Sequence, residues 1–131
     1  MITCPLCPRH CALPENRTGY CRARMNRGGV IKPLGYGKLT SLALDPIEKK
    51  PLNRFHPGSK ILSAGSFGCN MDCFFCQNAE ISTAGSDDVP IRELGPESLV
   101  KMAEGLKPRG NIGLAFTYNE PLINLEFILD C

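Results

Sequence analysis

The stretch Lys60-Ile61-Leu62-Ser63-Ala64-Gly65-Ser66-Phe67-Gly68-Cys69-Asn70-Met71-Asp72-Cys73-Phe74-Phe75-Cys76-Gln77-Asn78 decides the fold. Its first six residues read as a brief apolar strand that runs directly into a loop holding three cysteines. Beyond an acidic stretch at Asp87-Asp88, Pro96 stands at a first helical position. Leu99, Met102, Ala103 and Leu106 follow at helical spacing until Lys107, Pro108 and Gly110 stop the helix. Ile112 to Thr117 is a near-continuous apolar run of the kind found in parallel strands covered on both faces. It ends in Thr117-Tyr118-Asn119-Glu120-Pro121, and Leu122 to Asp130 reads as a second helix. Strand, loop, helix, strand, helix predicts the start of a parallel α/β fold, whose functional groups lie at the carboxyl ends of strands. Both Cys69 to Cys76 and Asn119-Glu120 fall at such ends.

Upstream the character changes. Thr3 to Arg27 is loop-like, with Cys4, Cys7, Cys11 and Cys21 among prolines, glycines and arginines and no period of 2 or 3.6, so something other than an apolar core must hold it. Gly28-Gly29 marks a turn, and Val30-Ile31 and Leu39 to Leu44 read as short strands. Asp45 to Leu52, closed by His56-Pro57-Gly58, reads as an extended connector draped over a surface. This divides the chain into a Cys-rich segment with its connector, residues 1–58, and an α/β core, residues 59–131.

Composition narrows the classes. With 131 residues, 43% hydrophobic and 21% charged, the chain has the size of one globular domain, and disordered, collagen-like and coiled-coil readings are excluded. No apolar run has the roughly 20 residues of a membrane-spanning helix, and no signal peptide is evident, so the expected location is cytoplasmic. Eight cysteines in a reducing compartment read as metal ligands before they read as disulfides. Residues 1–60 hold 11 Lys and Arg against 3 Asp and Glu, and residues 61–131 hold 4 against 10. A basic half and an acidic half either have different jobs or attract each other.

Cys69, Cys73 and Cys76 form C-x3-C-x2-C, the strongest signal in the chain. One loop with this spacing can place three thiolates on three corners of a cubane cluster and leave the fourth iron open to substrate. The alternative is a zinc knot completed by His56 or an N-terminal cysteine. The N-terminal set, C-x2-C-x3-C-x9-C at Cys4, Cys7, Cys11 and Cys21, suits a four-thiolate zinc or a second iron-sulfur cluster, and His10 could replace one thiol. The arginines around it admit a nucleic-acid module, which the lack of interleaved aromatics disfavours. Met25, Met71 and Met102 read as packing residues, Lys49-Lys50 as a solvated pair and Cys131 as an inert helix thiol.

At Cys69-x3-Cys73-x-Phe75-Cys76 the chain resembles the radical SAM superfamily, whose hallmark is C-x3-C-x-aromatic-C. Gly68, Gln77-Asn78, Asp45 to Leu52 with His56-Pro57-Gly58, and Asn119-Glu120-Pro121 extend the likeness over essentially the whole chain. Within the superfamily it is similar to relatives of the glycyl radical enzyme activating enzymes, such as those for pyruvate formate-lyase, and among them to the AmmeMemoRadiSam system radical SAM enzymes. The resemblance implies a 4Fe-4S cluster on Cys69, Cys73 and Cys76, S-adenosylmethionine chelated by the unique iron, and Phe75 against the adenine. It also implies that Asn119-Glu120 stands in the place of a Gly-Glu-like strand-end motif on the methionyl ammonium. Glu120 alternatively reads as an N-terminal helix acid facing the dipole. The implied activity is reductive cleavage of S-adenosylmethionine to a 5'-deoxyadenosyl radical that abstracts hydrogen, from a protein glycyl group in the activating enzymes. Implied partners are a flavodoxin- or ferredoxin-like reductant, a protein substrate, and a second chain that completes the barrel.

The family core is a partial (βα)6 barrel, and this chain carries the pattern of only its first two βα units. It therefore reads as an amino-terminal portion of such an enzyme, with a cluster-binding fragment without turnover of its own as the alternative. Nothing in the sequence supplies a packing partner for the apolar helix Leu122 to Leu129, so an exposed apolar patch is expected there.

Overall fold

Small antiparallel pieces occupy the first third of the chain in the structure, a computed structural model that describes residues 1–131. Strand β1 (Ile2–Thr3) pairs with β2 (Ala12–Leu13), and β3 (Arg24–Arg27) forms a hairpin with β4 (Val30–Pro33). The two-residue turn Gly28-Gly29 takes φ of 65° and 74° at its two positions. Left-handed backbone at both matches the twist of the flanking strands, and glycine adopts it without steric cost. The Glu15 carboxylate accepts from both exposed turn N–H groups, at 2.6 and 3.4 Å.

The central sheet follows. After β5 (Lys38–Leu39) come β6 (Ser41–Pro46), a 3-10 turn Ile47–Lys49, β7 (Lys60–Gly65), α1 (Ala79–Ser82) and β8 (Arg92–Glu93), which pairs with β5. Helix α2 (Pro96–Gly105), a 3-10 turn Lys107–Arg109, β9 (Asn111–Phe116), a 3-10 turn Pro121–Asn124 and α3 (Leu125–Asp130) complete the mixed α/β chain. The sheet order is β6-β7-β9, with β7 antiparallel to β6 and parallel to β9. The register of β7 on β9 shifts between Lys60 and Leu62. The buried Asn111 side chain fills that gap, accepting from Leu62 N–H and donating to the Ala103 carbonyl, both at 2.8 Å.

Two apolar cores result. Leu39, Leu62, Ala64, Leu99, Ala103 and Phe127 form one between the sheet and helices α2 and α3. Cys21, Ala23, Phe67, Ala84 and Ile123 form the other, where the N-terminal segment meets the chain leaving β7. The strand, helix, strand, helix order expected from Lys60 onward is present and Pro96 opens α2 as expected, but the last helix starts at Leu125, after the 3-10 turn Pro121–Asn124, and not at Leu122.

Four expectations change. Residues 45–52 are not simply draped over a surface: β6 is a strand of the central sheet, and Asp45 and Ile47 are buried. Strand β9 packs Leu114 and Phe116 on the core, but Ile112 is exposed and the strand past Asn111 is nowhere fully covered. The helix after Glu120 does find partners, because Ile123 and Phe127 enter the two cores and only Leu129 stands in solvent. Met71 is also exposed, whereas Met102 packs as expected.

Candidate active site

The three-cysteine loop begins where β7 ends, and its entry is tightly anchored. Phe67 is fully buried, Gly68 N–H donates to the Ile81 carbonyl at 2.8 Å, and Cys69 N–H donates to the Cys21 carbonyl at 3.2 Å. Gly68 has φ of 76°, and a Cβ there would lie 2.2 Å from the Cys21 carbonyl oxygen, so only glycine lets the two backbones touch. Downstream, Cys76 N–H turns back to the Cys73 carbonyl at 3.1 Å. The loop thus lays Cys69, Cys73 and Cys76 along one groove of about 50 Å³, with Asp72, Ser82 and Thr83 beside them. Cys69 is buried, Cys76 half-buried and Cys73 exposed.

The end of β9 meets this groove. Glu120 N–H points at Cys69 Sγ at 3.4 Å, and Cys76 Sγ lies 3.4 Å from Ser82 Oγ. Asn119 faces inward: its Oδ1 accepts from Ser66 N–H at 3.1 Å, and its Nδ2 donates to the Gly68 carbonyl at 2.8 Å. Both ends of that amide are used in clamping the loop entry to the neighbouring strand. Glu120 Oε1 accepts from Leu122 N–H at 3.2 Å and caps the 3-10 turn, as the helix-acid reading expected. Phe75 and Phe74 stand 75% and 98% exposed, edge to face at 5.0 Å, which leaves open aromatic surface on the loop.

A second polar group behind the strand ends was not legible in the sequence. Tyr118 has φ of 74°, rare for an aromatic residue and costing about 1–3 kcal/mol. That conformation lets its hydroxyl donate to Asp45 Oδ2 at 2.6 Å while Asn119 reaches the loop. Lys49 and Lys50 also donate to Asp45, at 2.9 and 3.3 Å, so they are not a solvated pair, although Lys49 remains mostly exposed. Burial pushes the Asp45 carboxyl up, but the hydrogen bonds from Tyr118, Lys49 and Lys50 outweigh it and hold the group well below the usual carboxylate range. Burial, then Asp45 itself, pushes the Tyr118 hydroxyl up to about 12.

A group depressed in the folded state stabilises above its unfolded pKa of about 4 and loses that contribution as pH falls below it. Acid unfolding is therefore expected to steepen below about pH 4. Asp45→Asn should flatten that limb while lowering stability at pH 7 by about 2–3 kcal/mol, as read in denaturant titrations at the two pH values. An unchanged acid limb in the variant would remove Asp45 as its source.

The four N-terminal cysteines, 17 residues apart from first to last, are brought to one cavity, with Leu6, Arg9, Arg24 and Asn70 also on its wall. Burial pushes the Cys21 thiol up. Neither cysteine set closes into a group of three or more His, Cys, Asp or Glu side chains that could hold a metal, so neither the cluster expected at Cys69, Cys73 and Cys76 nor the zinc or second cluster expected at Cys4, Cys7, Cys11 and Cys21 has a preformed ligand cage. His10 and His56 both have positive φ, and neither lines the cavity or the groove. The charge halves do meet: Arg24, 5% exposed, makes a two-pronged bond to Glu126 at 2.5 and 2.8 Å.

Comparison with known proteins adds to this geometry. A family model for the radical SAM superfamily matches residues 65–131, which contain the three-cysteine loop and Asn119-Glu120. An uncharacterized protein of Methanocaldococcus jannaschii is 45% identical over 130 residues, covering 98% of this chain and 38% of that protein. The chain thus spans less than two fifths of the length of this relative. No solved structure matches the chain. No helix is long and apolar enough to cross a membrane.

Proposed function

Because the chain belongs to the radical SAM superfamily, we propose that it holds a 4Fe-4S cluster on Cys69, Cys73 and Cys76 and serves the reductive cleavage of S-adenosylmethionine. One observation carries the reading: three free cysteines of a single loop share one groove at the carboxyl end of a parallel strand, against the end of the next parallel strand. Three thiolates are the donor set that leaves one cluster iron for a small-molecule ligand. Held on these cysteines, a cluster would supply the electron for reductive cleavage of the sulfonium, the source of a 5'-deoxyadenosyl radical for hydrogen abstraction.

The chain's own residues position and shield. Glu120 N–H steadies the Cys69 sulfur, and Asn119 fixes the loop entry on β9. Only one oxygen of Glu120 is used as a cap, so the carboxylate keeps an oxygen for an ammonium group. The open faces of Phe74 and Phe75 offer a surface for a purine ring. In this reading β7 with α2 and β9 with α3 are the first two βα units of a partial (βα)6 barrel. The subgroup is that of the glycyl radical activating enzyme relatives, with a small electron-transfer protein as reductant and a protein glycyl group as the substrate class.

Anaerobic reconstitution with iron and sulfide tests the reading. The expected result is about four iron and four sulfide per chain, with a reduced-cluster electron paramagnetic resonance signal that changes shape on adding S-adenosylmethionine. Cys73→Ala should abolish both. A signal indifferent to S-adenosylmethionine would mean that no iron is open, and the proposal would fail.

A further inference from the structure

Two of the four buried side-chain polar atoms without a partner in this chain lie on residues of one wall, that of the N-terminal cavity: Arg24 Nε and Asn70 Oδ1. The same cavity is lined by Cys4, Cys7, Cys11 and Cys21. A donor left unpaired in a site 5% exposed is costly unless something there accepts from it. Thiolate sulfur is such an acceptor. The neighbouring backbone fits as well: Cys4 N–H bonds the Cys11 carbonyl at 2.9 Å, His10 N–H turns back on the Cys7 carbonyl at 3.1 Å, and Gly19 leaves its side open to Cys11 Sγ.

We propose that Cys4, Cys7, Cys11 and Cys21 bind one zinc-type divalent ion as a mononuclear four-thiolate site, with Arg24 Nε–H donating to a ligand sulfur. The free space is about 10 Å³, close to the room one water needs, which suits a single ion. Spacings of two and three residues between the first three ligands are those of structural zinc sites. The four thiols line the cavity without closing on a point, and the ion draws them in by side-chain rotation. Four S–H bonds release their protons to solvent as four zinc–sulfur bonds form, leaving two net negative charges beside Arg24 and Arg9. Rotation of the Asn70 amide about its last bond turns an N–H to the same sulfurs.

The site braces the three-cysteine loop. Cys21 supplies the carbonyl that accepts from Cys69 N–H, and Arg9 Nε donates to the Asn70 carbonyl at 2.7 Å. The inference does not rest on the cluster, because its ligands lie outside residues 65–131.

The test uses the full chain carrying Cys69→Ala, Cys73→Ala and Cys76→Ala together, purified anaerobically with zinc. About one zinc per chain is expected, and cobalt(II) in its place should give thiolate charge-transfer bands and tetrahedral d–d intensity. Adding Cys7→Ser should abolish the stoichiometric ion. On the unmutated chain, alkylation mapped by mass spectrometry should be about tenfold slower with zinc at Cys4, Cys7, Cys11 and Cys21, and unchanged at Cys131. That second measurement stands even if the triple variant misfolds. Iron with sulfide at these cysteines, disulfides among them, or zinc-independent labelling would each overturn the proposal.

Discussion

Gly68→Ala is expected to cost about 3 kcal/mol or more and to empty the three-cysteine groove of iron on reconstitution. Left-handed backbone alone costs an L-residue about 1–2 kcal/mol. The added methyl would also meet the Cys21 carbonyl oxygen at 2.2 Å and the Ala23 methyl at 3.1 Å. Neither neighbour can yield: the carbonyl belongs to backbone that accepts from Cys69 N–H, and Ala23 is buried in the second core. The loop entry must lift away instead, carrying Cys69 from Glu120 N–H and breaking the Asn119 clamp. Thermal melting and iron content per chain read the two effects. A variant that melts normally and still loads about four iron would show that the close approach of the two backbones is dispensable.

Phe127→Ala should cost about 3–5 kcal/mol, the range for deleting a buried aromatic ring. Phe127 is 1% exposed and meets Tyr36 and Phe116 edge on, at ring-centroid distances of 5.4 and 6.2 Å. The other walls of that core come from β5, β7 and α2, none able to collapse into the gap without shifting backbone. A typical domain is stable by only about 5–15 kcal/mol, so the variant should approach global unfolding at 37 °C. Leu129→Ala, two positions on and 74% exposed, should stay within about 0.5 kcal/mol. Equal losses at the two sites would refute the assignment of α3's inner face.

What the sequence disclosed depended on how local the cause was. Helix α2 could be placed because Pro96 opens it and Leu99 and Ala103 mark its buried stripe within one turn of each other. Strands β7 and β9 were visible as apolar runs, and the cysteine loop because its spacing is itself the ligand pattern. The burial of Asp45 was not legible, since a proline-rich run reads as surface and its partner Tyr118 lies 73 residues away. Asn119 was legible as a site position but not as a clamp, because an amide's partners are set by the register of β9 on β7. The cover over Phe127 comes from Tyr36 and Leu39, far upstream, so no window around the helix could predict it.

The Arg24–Glu126 pair closes a loop of 102 residues and ties the earliest part of the chain to α3. A ribosome therefore releases the cysteine-rich segment long before its buried arginine has a counter-ion. Until Glu126 emerges, that guanidinium must stay in water, because closing so distant a contact confers nothing before its partner exists. Docking of this segment accordingly waits for α3. Until then its four cysteines, Cys4, Cys7, Cys11 and Cys21, are without the shelter of the fold.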